Sequence, residues 1–204
     1  MNKIHDLKKI VFLFLLFLSF FAVSQTKKIF IENAAQSYAG EGKLMGATVL
    51  LGNVKMRHSG AILTSQKALY YKDQNFFKAI GNVVIKQGDT ITQTSDYTDY
   101  DANKKQALSW GNVVLTDPTM TLKTDTLHFD RLQQKLYYNS FATIKDATNT
   151  LKSKKGNYFL ADKKFIAKNN VTVVNTDHQL ASNHLNYYTT SGIAYLYGPS
   201  TITN

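Results

Sequence analysis

Asp125, His128 and Asp130 fall within six residues of one another, and Asp96, Asp99 and Asp101 within another six. Carboxylates and imidazoles at short spacing are the donor types that hold zinc or calcium. On an extended strand successive side chains point to opposite faces, so Asp125 and His128 diverge unless the strand is bulged. A calcium loop of the EF-hand or nonapeptide-repeat kind needs glycines that Ser95-Asp96-Tyr97-Thr98-Asp99-Tyr100-Asp101 lacks. These aspartates read as solvent-facing strand residues. Nucleophilic catalysis needs a serine on a strained turn with a base beside it. His58, His128, His178 and His184 have no such turn near them. The residues therefore indicate no catalytic group, no metal and no cofactor.

What the sequence repeats is structural. Gly52-Asn53-Val54, Gly81-Asn82-Val83, Gly111-Asn112-Val113, Ser140-Phe141-Ala142, Asn169-Asn170-Val171 and Gly198-Pro199-Ser200 return at steps of 29, 30, 29, 29 and 29 residues. A fixed period of this length means stacked supersecondary units, each too small to bury its own apolar face. Val, Ile, Thr, Tyr and Phe abound and only Pro118 and Pro199 interrupt, a strand-forming composition. Phe77, Ala79, Gly81, Val83 and Ile85 alternate with polar residues, which predicts one dry face. The same face continues through Leu50, Val54 and Met56, Val113 and Leu115, Ala142 and Ile144, Val171 and Val173, then Leu196 and Ile202. Stacking such positions about 4.8 Å apart makes apolar ladders. The glycines mark a bend or bulge.

About eleven residues later a second strand opens at Leu63-Thr64-Ser65, Leu122-Lys123-Thr124, Leu151-Lys152-Ser153 and Leu180-Ala181-Ser182. Its inward parity slips at Gln66-Lys67, Asp125-Thr126, Lys154-Lys155 and Asn183-His184, so it turns a corner there. Tyr70, Phe129, Tyr158 and Tyr187 follow; one extra residue after Gly81 displaces the equivalent aromatic to Tyr100. The predicted fold is all-β, an elongated, twisted jelly roll or solenoid of antiparallel strands in about 29-residue repeats, with two sheets facing each other.

The amino terminus carries Lys3, Lys8 and Lys9 before an apolar run from Ile10 to Val23. That is the layout of a secretory signal peptide over residues 1–24, cleaved between Ser24 and Gln25, with an uncleaved anchor as the alternative. The absence of cysteine excludes a lipoprotein and any disulfide. Residues 25–204 then form one repeat domain. Removing three lysines and one aspartate lowers the net charge from +10 to +8. A basic surplus favours phosphorylated lipid or acidic glycan, and an exported chain excludes nucleic acid. The sixth copy stops after its first strand, which predicts that further repeats or a cap lie elsewhere.

The succession of Gly-Asn-Val, Leu-x-Ser/Thr and an aromatic, as in Gly111-Asn112-Val113, Leu122-Lys123-Thr124 and Phe129-Asp130, resembles the OstA/LptA organic-solvent-tolerance family over residues 28–204. The resemblance implies a periplasmic, non-enzymatic bridge protein of Gram-negative outer-membrane biogenesis, with lipopolysaccharide as cargo. Its partners would be like jelly-roll domains packed head to tail and the inner- and outer-membrane transport components. The lipid A acyl chains would lie along Leu50, Val54, Met56, Phe77, Val83, Ile85, Val113, Leu115, Ile144, Val171, Val173 and Ile202. Lys55, Arg57, Lys86, Lys123 and Lys152 are candidate phosphate contacts near the opening, against the alternative of a solvated outer face. A structural scaffold or adhesin with a closed core is the competing reading. A polysaccharide-processing β-helix is disfavoured because its carboxylate cluster is missing.

Overall fold

The computed structural model describes residues 28–204; the expected signal peptide and its cleavage point lie outside them. The described chain is an all-antiparallel meander of fifteen strands linked in one continuous sheet. They are β1 (Phe30–Asn33), β2 (Gln36–Ala39), β3 (Thr48–His58), β4 (Ala61–Tyr71), β5 (Phe76–Gln87), β6 (Ile91–Asp101), β7 (Gln106–Thr116) and β8 (Thr121–Asp130). There follow β9 (Lys135–Tyr138), β10 (Ala142–Lys145), β11 (Thr150–Ser153), β12 (Lys155–Phe159), β13 (Lys164–Val174), β14 (Gln179–Tyr188) and β15 (Ile193–Thr203). The predicted fold class is the one observed.

The repeating Gly-Asn pairs are the corners. In β3, β5, β7 and β13 two successive residues take left-handed backbone angles, such as Gly81 at φ 78° and Asn82 at 48°, or Asn169 at 63° and Asn170 at 55°. Glycine has no Cβ to clash there and asparagine tolerates the region better than most residues. Ladder registers jump at each pair: Lys67 faces Ile80 but Thr64 faces Val84. Two residues thus oppose one, a β-bulge that bends both strands. The single opposing residue is Gln66, Asp96, Asp125 or Asn183. At Ser140-Phe141 the left-handed pair is missing, and that bent strand divides into β9 and β10, just as its neighbour divides into β11 and β12. β1 and β2 form a further divided strand, both pairing with β3, which the repeat pattern did not reveal.

Each bent strand contributes one arm to each wall of a V. Leu63 and Ser65 are buried before the corner of β4, and Ala68 and Tyr70 after it, so both arms face the same interior. Leu63, Met56, Tyr70, Phe77 and Tyr100 belong to one apolar cluster, and Val113, Leu122, Tyr138, Tyr158, Phe165 and Leu185 to a second. The corner forms the base of the V, and the hairpin turns of both arms form its mouth. The residue that lengthens one repeat sits in the three-residue turn between Gln87 and Ile91, so Tyr100 still follows Ser95 by five positions, as Tyr70 follows Ser65.

The turns are built alike. The Asp117 carboxylate accepts the amides of Thr119 and Met120, Asp146 those of Thr148 and Asn149, Asp130 those of Leu132 and Gln133, and Asp101 those of Asn103 and Lys104. Such side chains mimic a backbone turn. On the second arm the turns also bond one to the next, from Ala102 to Asn75, Arg131 to Lys105, Leu160 to Gln134 and Thr189 to Lys163, at 2.9–3.0 Å. Asp101 and Asp130, the last residues of β6 and β8, thus also cap the turns that follow them.

Candidate functional site

Serine or threonine at the third position of each Leu-x-Ser/Thr motif braces the corner. The Ser65 hydroxyl donates to the Lys67 carbonyl (2.9 Å), Ser153 to Lys155 (3.1 Å) and Ser182 to His184 (3.1 Å), with Thr124 to Thr126 longer at 3.4 Å. This satisfies a carbonyl where the ladder is broken. Ser95, the fifth equivalent, instead pairs with Thr98 at 3.0 Å. Thr98 contacts Ser109 at 2.8 Å, and the Gln93 amide donates to Ser109 at 2.6 Å across the interior. All four are buried. This polar belt lies where other copies place Leu63, Ala68 and Ala79, and aligning the copies column by column would have exposed it.

Along the mouth three cavities follow one another. The first, about 60 Å³, is lined by Met56, His58, Phe77, Tyr100 and Arg131, among others. The second, about 290 Å³, is lined by Ile91, Leu115, Phe129, Leu136, Tyr158 and Leu160 with Gln87, Asp117 and Arg131 at its rim. The third, about 260 Å³, is lined by Ile144, Leu151, Tyr158, Phe165, Val173 and Leu185. Gln87, Phe129 and Arg131 border the first two, and Tyr158 borders the last two. The larger two together fall within the roughly 300–1,000 Å³ of small-molecule pockets.

The narrow end is clasped. Arg131, on the turn after β8, donates to the Ser59 carbonyl on the opposite arm at 3.2 Å and to the Tyr100 hydroxyl at 3.4 Å. Tyr100 in turn meets Nδ1 of His58 at 2.9 Å. Burial, the largest influence, raises the Tyr100 pKa although Arg131 opposes it, so the phenol keeps its proton. Nearer the amino-terminal end, the Ile29 amide donates to Asn75 Oδ1 at 3.4 Å.

The predicted ladder divides by depth. Leu50, Val54, Val83, Val113 and Val171 are fully buried at the base of the V beside the corners. Met56, Phe77 and Ile85 line the small cavity, Leu115 the second, and Ile144 and Val173 the third. Ile202 departs from the expectation: it is 61% exposed, because β15 has a ladder partner on one side only among the described residues. The candidate phosphate contacts are also placed differently. Lys55, Lys86, Lys123 and Lys152 alternate with inward residues, as Lys123 does between buried Leu122 and Thr124, and so project from the outer face; Arg57 alternates likewise but also borders the small cavity. Lys55 and Arg57 both pair with Glu32, Lys55 at 3.0 Å. Their hydrogen bonds and charges hold the Glu32 pKa below its ordinary value. Arg131 is the basic residue that borders both the first and the second cavity, and its position in the repeat carried no signal for it. His128 is stacked on Tyr137 at 4.4 Å, and burial lowers its pKa.

The sequence pattern of a family described as OstA-like protein matches residues 26–183. The chain belongs to this OstA-like family. No curated protein matches the sequence. Among solved structures, the OstA-like chain is similar to LptH of Pseudomonas aeruginosa, described as the LptA-homologous periplasmic component of a lipopolysaccharide transport device. The two are 14% identical with a TM-score of 0.50, over 56% of this chain and 94% of that one. At that identity the likeness is one of fold. The OstA-like repeat is thus a V-shaped jelly roll whose mouth is open beside Tyr158 and clasped at Arg131.

Proposed function

We propose that this OstA-like chain is a non-enzymatic periplasmic carrier that holds the acyl chains of lipopolysaccharide between its two arms and passes them toward the outer membrane. The observation that carries the reading is the pair of apolar cavities opening along the mouth on either side of Tyr158. The fold it shares with a periplasmic transport component supports it. Sheltering a chain of a dozen carbons from water is worth on the order of 10 kcal/mol, so a carrier needs successive sites of similar depth. The stacked repeats supply them. Its partners would be like domains in line with it and the membrane components at either end of the path.

The test is a photoreactive side chain placed in living cells at Leu115 or Val173, within the cavities, with outward-facing Thr64 as control. Lipopolysaccharide adducts at the two interior positions and none at Thr64 are expected. Their absence from every interior position would sink the proposal and leave a closed scaffold. That rival has one local observation in its favour: Val54 and Val83 are fully buried, and the cavity beside Met56 and Phe77 is only about 60 Å³. Adducts confined to Val83 and absent at Val173 would therefore also contradict the carrier as drawn.

A further inference from the structure

The geometry points to Arg131 as a recognition post for the anionic head of an acylated amphiphile, with one of its tails lying in the adjoining cavity of about 290 Å³. The inference deepens the carrier reading and rests on it. Arginine is scarce here: of 24 basic residues only Arg57 and Arg131 are arginines. Arg57 is neutralised by Glu32. Arg131 has no carboxylate within ion-pair distance among the described residues, and its hydrogen bonds go to a carbonyl and a phenol, both neutral. A guanidinium has five donors in a planar fork that matches phosphate or carboxylate oxygens. Two are engaged, and the side chain borders both the first and the second cavity.

The neighbouring charges leave that post positive. Asp117 lines the same cavity, but one oxygen of its carboxylate already accepts two backbone amides and a hydroxyl from its own turn. Asp101 is paired with Lys104 at 3.1 Å. Gln87, Gln93 and Gln134, the amide side chains of the cavity, are neutral. The opposite direction from Arg131 is apolar, running over Leu136 and Leu160 to Tyr158 and then into the third cavity. A cation at one end and a greasy trough leading away from it suit one ligand chemistry, an acidic head on a long hydrocarbon. An anion bound there would also compete with the Ser59 carbonyl for the guanidinium and loosen the clasp.

The test uses the full chain with dodecyl phosphate, dodecanol and inorganic phosphate, titrated by calorimetry below micellar concentrations. Dodecyl phosphate should bind at least about tenfold more tightly than dodecanol, the effect of one charge-assisted contact. Arg131→Gln should erase that difference without weakening dodecanol, and Arg131→Lys, which keeps the charge but loses the fork, should keep only part of it. Because Arg131→Gln removes a bridge between the arms, a second measurement leaves the chain unaltered. With only two arginines, the guanidinium nitrogen spectrum has two sets of signals, and dodecyl phosphate should move that of Arg131 and not that of Arg57. Equal affinity for the two amphiphiles, or an unmoved Arg131 signal, overturns the post while the carrier reading stands. Binding of neither amphiphile overturns the post, whereas the carrier reading falls only if the interior positions yield no lipopolysaccharide adducts. Inorganic phosphate binding as tightly as dodecyl phosphate overturns the amphiphile and makes Arg131 a site for free anions.

Discussion

The Ser153 hydroxyl stands between two partners: it donates to the Lys155 carbonyl and accepts the Tyr138 phenol at 2.6 Å. Burial is the largest influence on that phenol and pushes its pKa up to about 12 from 10.0, against the smaller opposing effect of Ser153. A raised pKa means the folded state holds the proton more firmly. The associated stability is complete below pH 10, where the unfolded chain keeps its proton too, and disappears as pH rises toward 12. Tyr138→Phe is expected to cost about 1 kcal/mol at neutral pH for the lost bond and to flatten the decline of the urea midpoint between pH 10 and 12. An unchanged decline would show that Tyr138 is not its source. Size is balanced beside it as well: a Cβ at Gly156 would run into the Tyr138 ring, so the largest side chain of its column faces the smallest of the next. The recurrence of Ser65, Ser153 and Ser182 was legible in the sequence. Their bracing role was not, because it depends on the carbonyl that the corner turns toward them.

At the scale of elements, the corners and turns carry the specificity of the fold. A Cβ at Gly111, where φ is 74°, would lie 2.6 Å from an Asp96 oxygen. Gly111→Ala should therefore destabilise by about 1–3 kcal/mol from strain at positive φ together with the clash. Adding Asp96→Ala should recover only the part due to the clash, as measured by denaturant unfolding; full recovery would mean that the backbone angle carries no strain. The aspartate turns make a pH-dependent prediction. Burial alone would raise the Asp146 pKa, but the amides of Thr148 and Asn149 and their side chains hold it below its ordinary 3.8. Its contribution is present above that ordinary value and is lost as pH falls through the depressed one. Asp146→Ala should thus destabilise by about 1 kcal/mol at pH 7, and the gap to the parent chain should shrink as the pH is taken below 3.8. A gap independent of pH would argue against the carboxylate. Gly-Asn and the period of 29 announced these corners in advance. The division into β9 and β10, and the pairing of β1 and β2 with β3, were not legible, since Phe30–Ala39 carries neither the Gly-Asn signature nor the Leu-x-Ser one.

For the whole molecule, stability is a sum of neighbour contacts along one axis. Amide hydrogen exchange should be slowest in β5 to β8, which have partners on both sides, and fastest in β15, whose side chains are mostly exposed. Equal protection throughout would instead indicate one all-or-none unit. The architecture was readable from the period together with the strand-forming composition and the alternation, but the shape of the interior was not: alternation tells which residues face inward, while the volume left between the arms depends on how Tyr100, Tyr138 and Phe165 fill it. That filling gives the buried Gln93, Ser95, Thr98 and Ser109 a kinetic meaning. Equivalent positions recur every two strands, roughly 10 Å along the axis, so a hydrocarbon tail drawn lengthwise through the interior meets a periodic energy profile and advances by hops of one repeat. Four hydrogen-bonded polar groups break the periodicity at a single rung. For the carrier proposed above, the hop past Thr98 would be the highest barrier of the series, and the transit time of the whole domain would be set there.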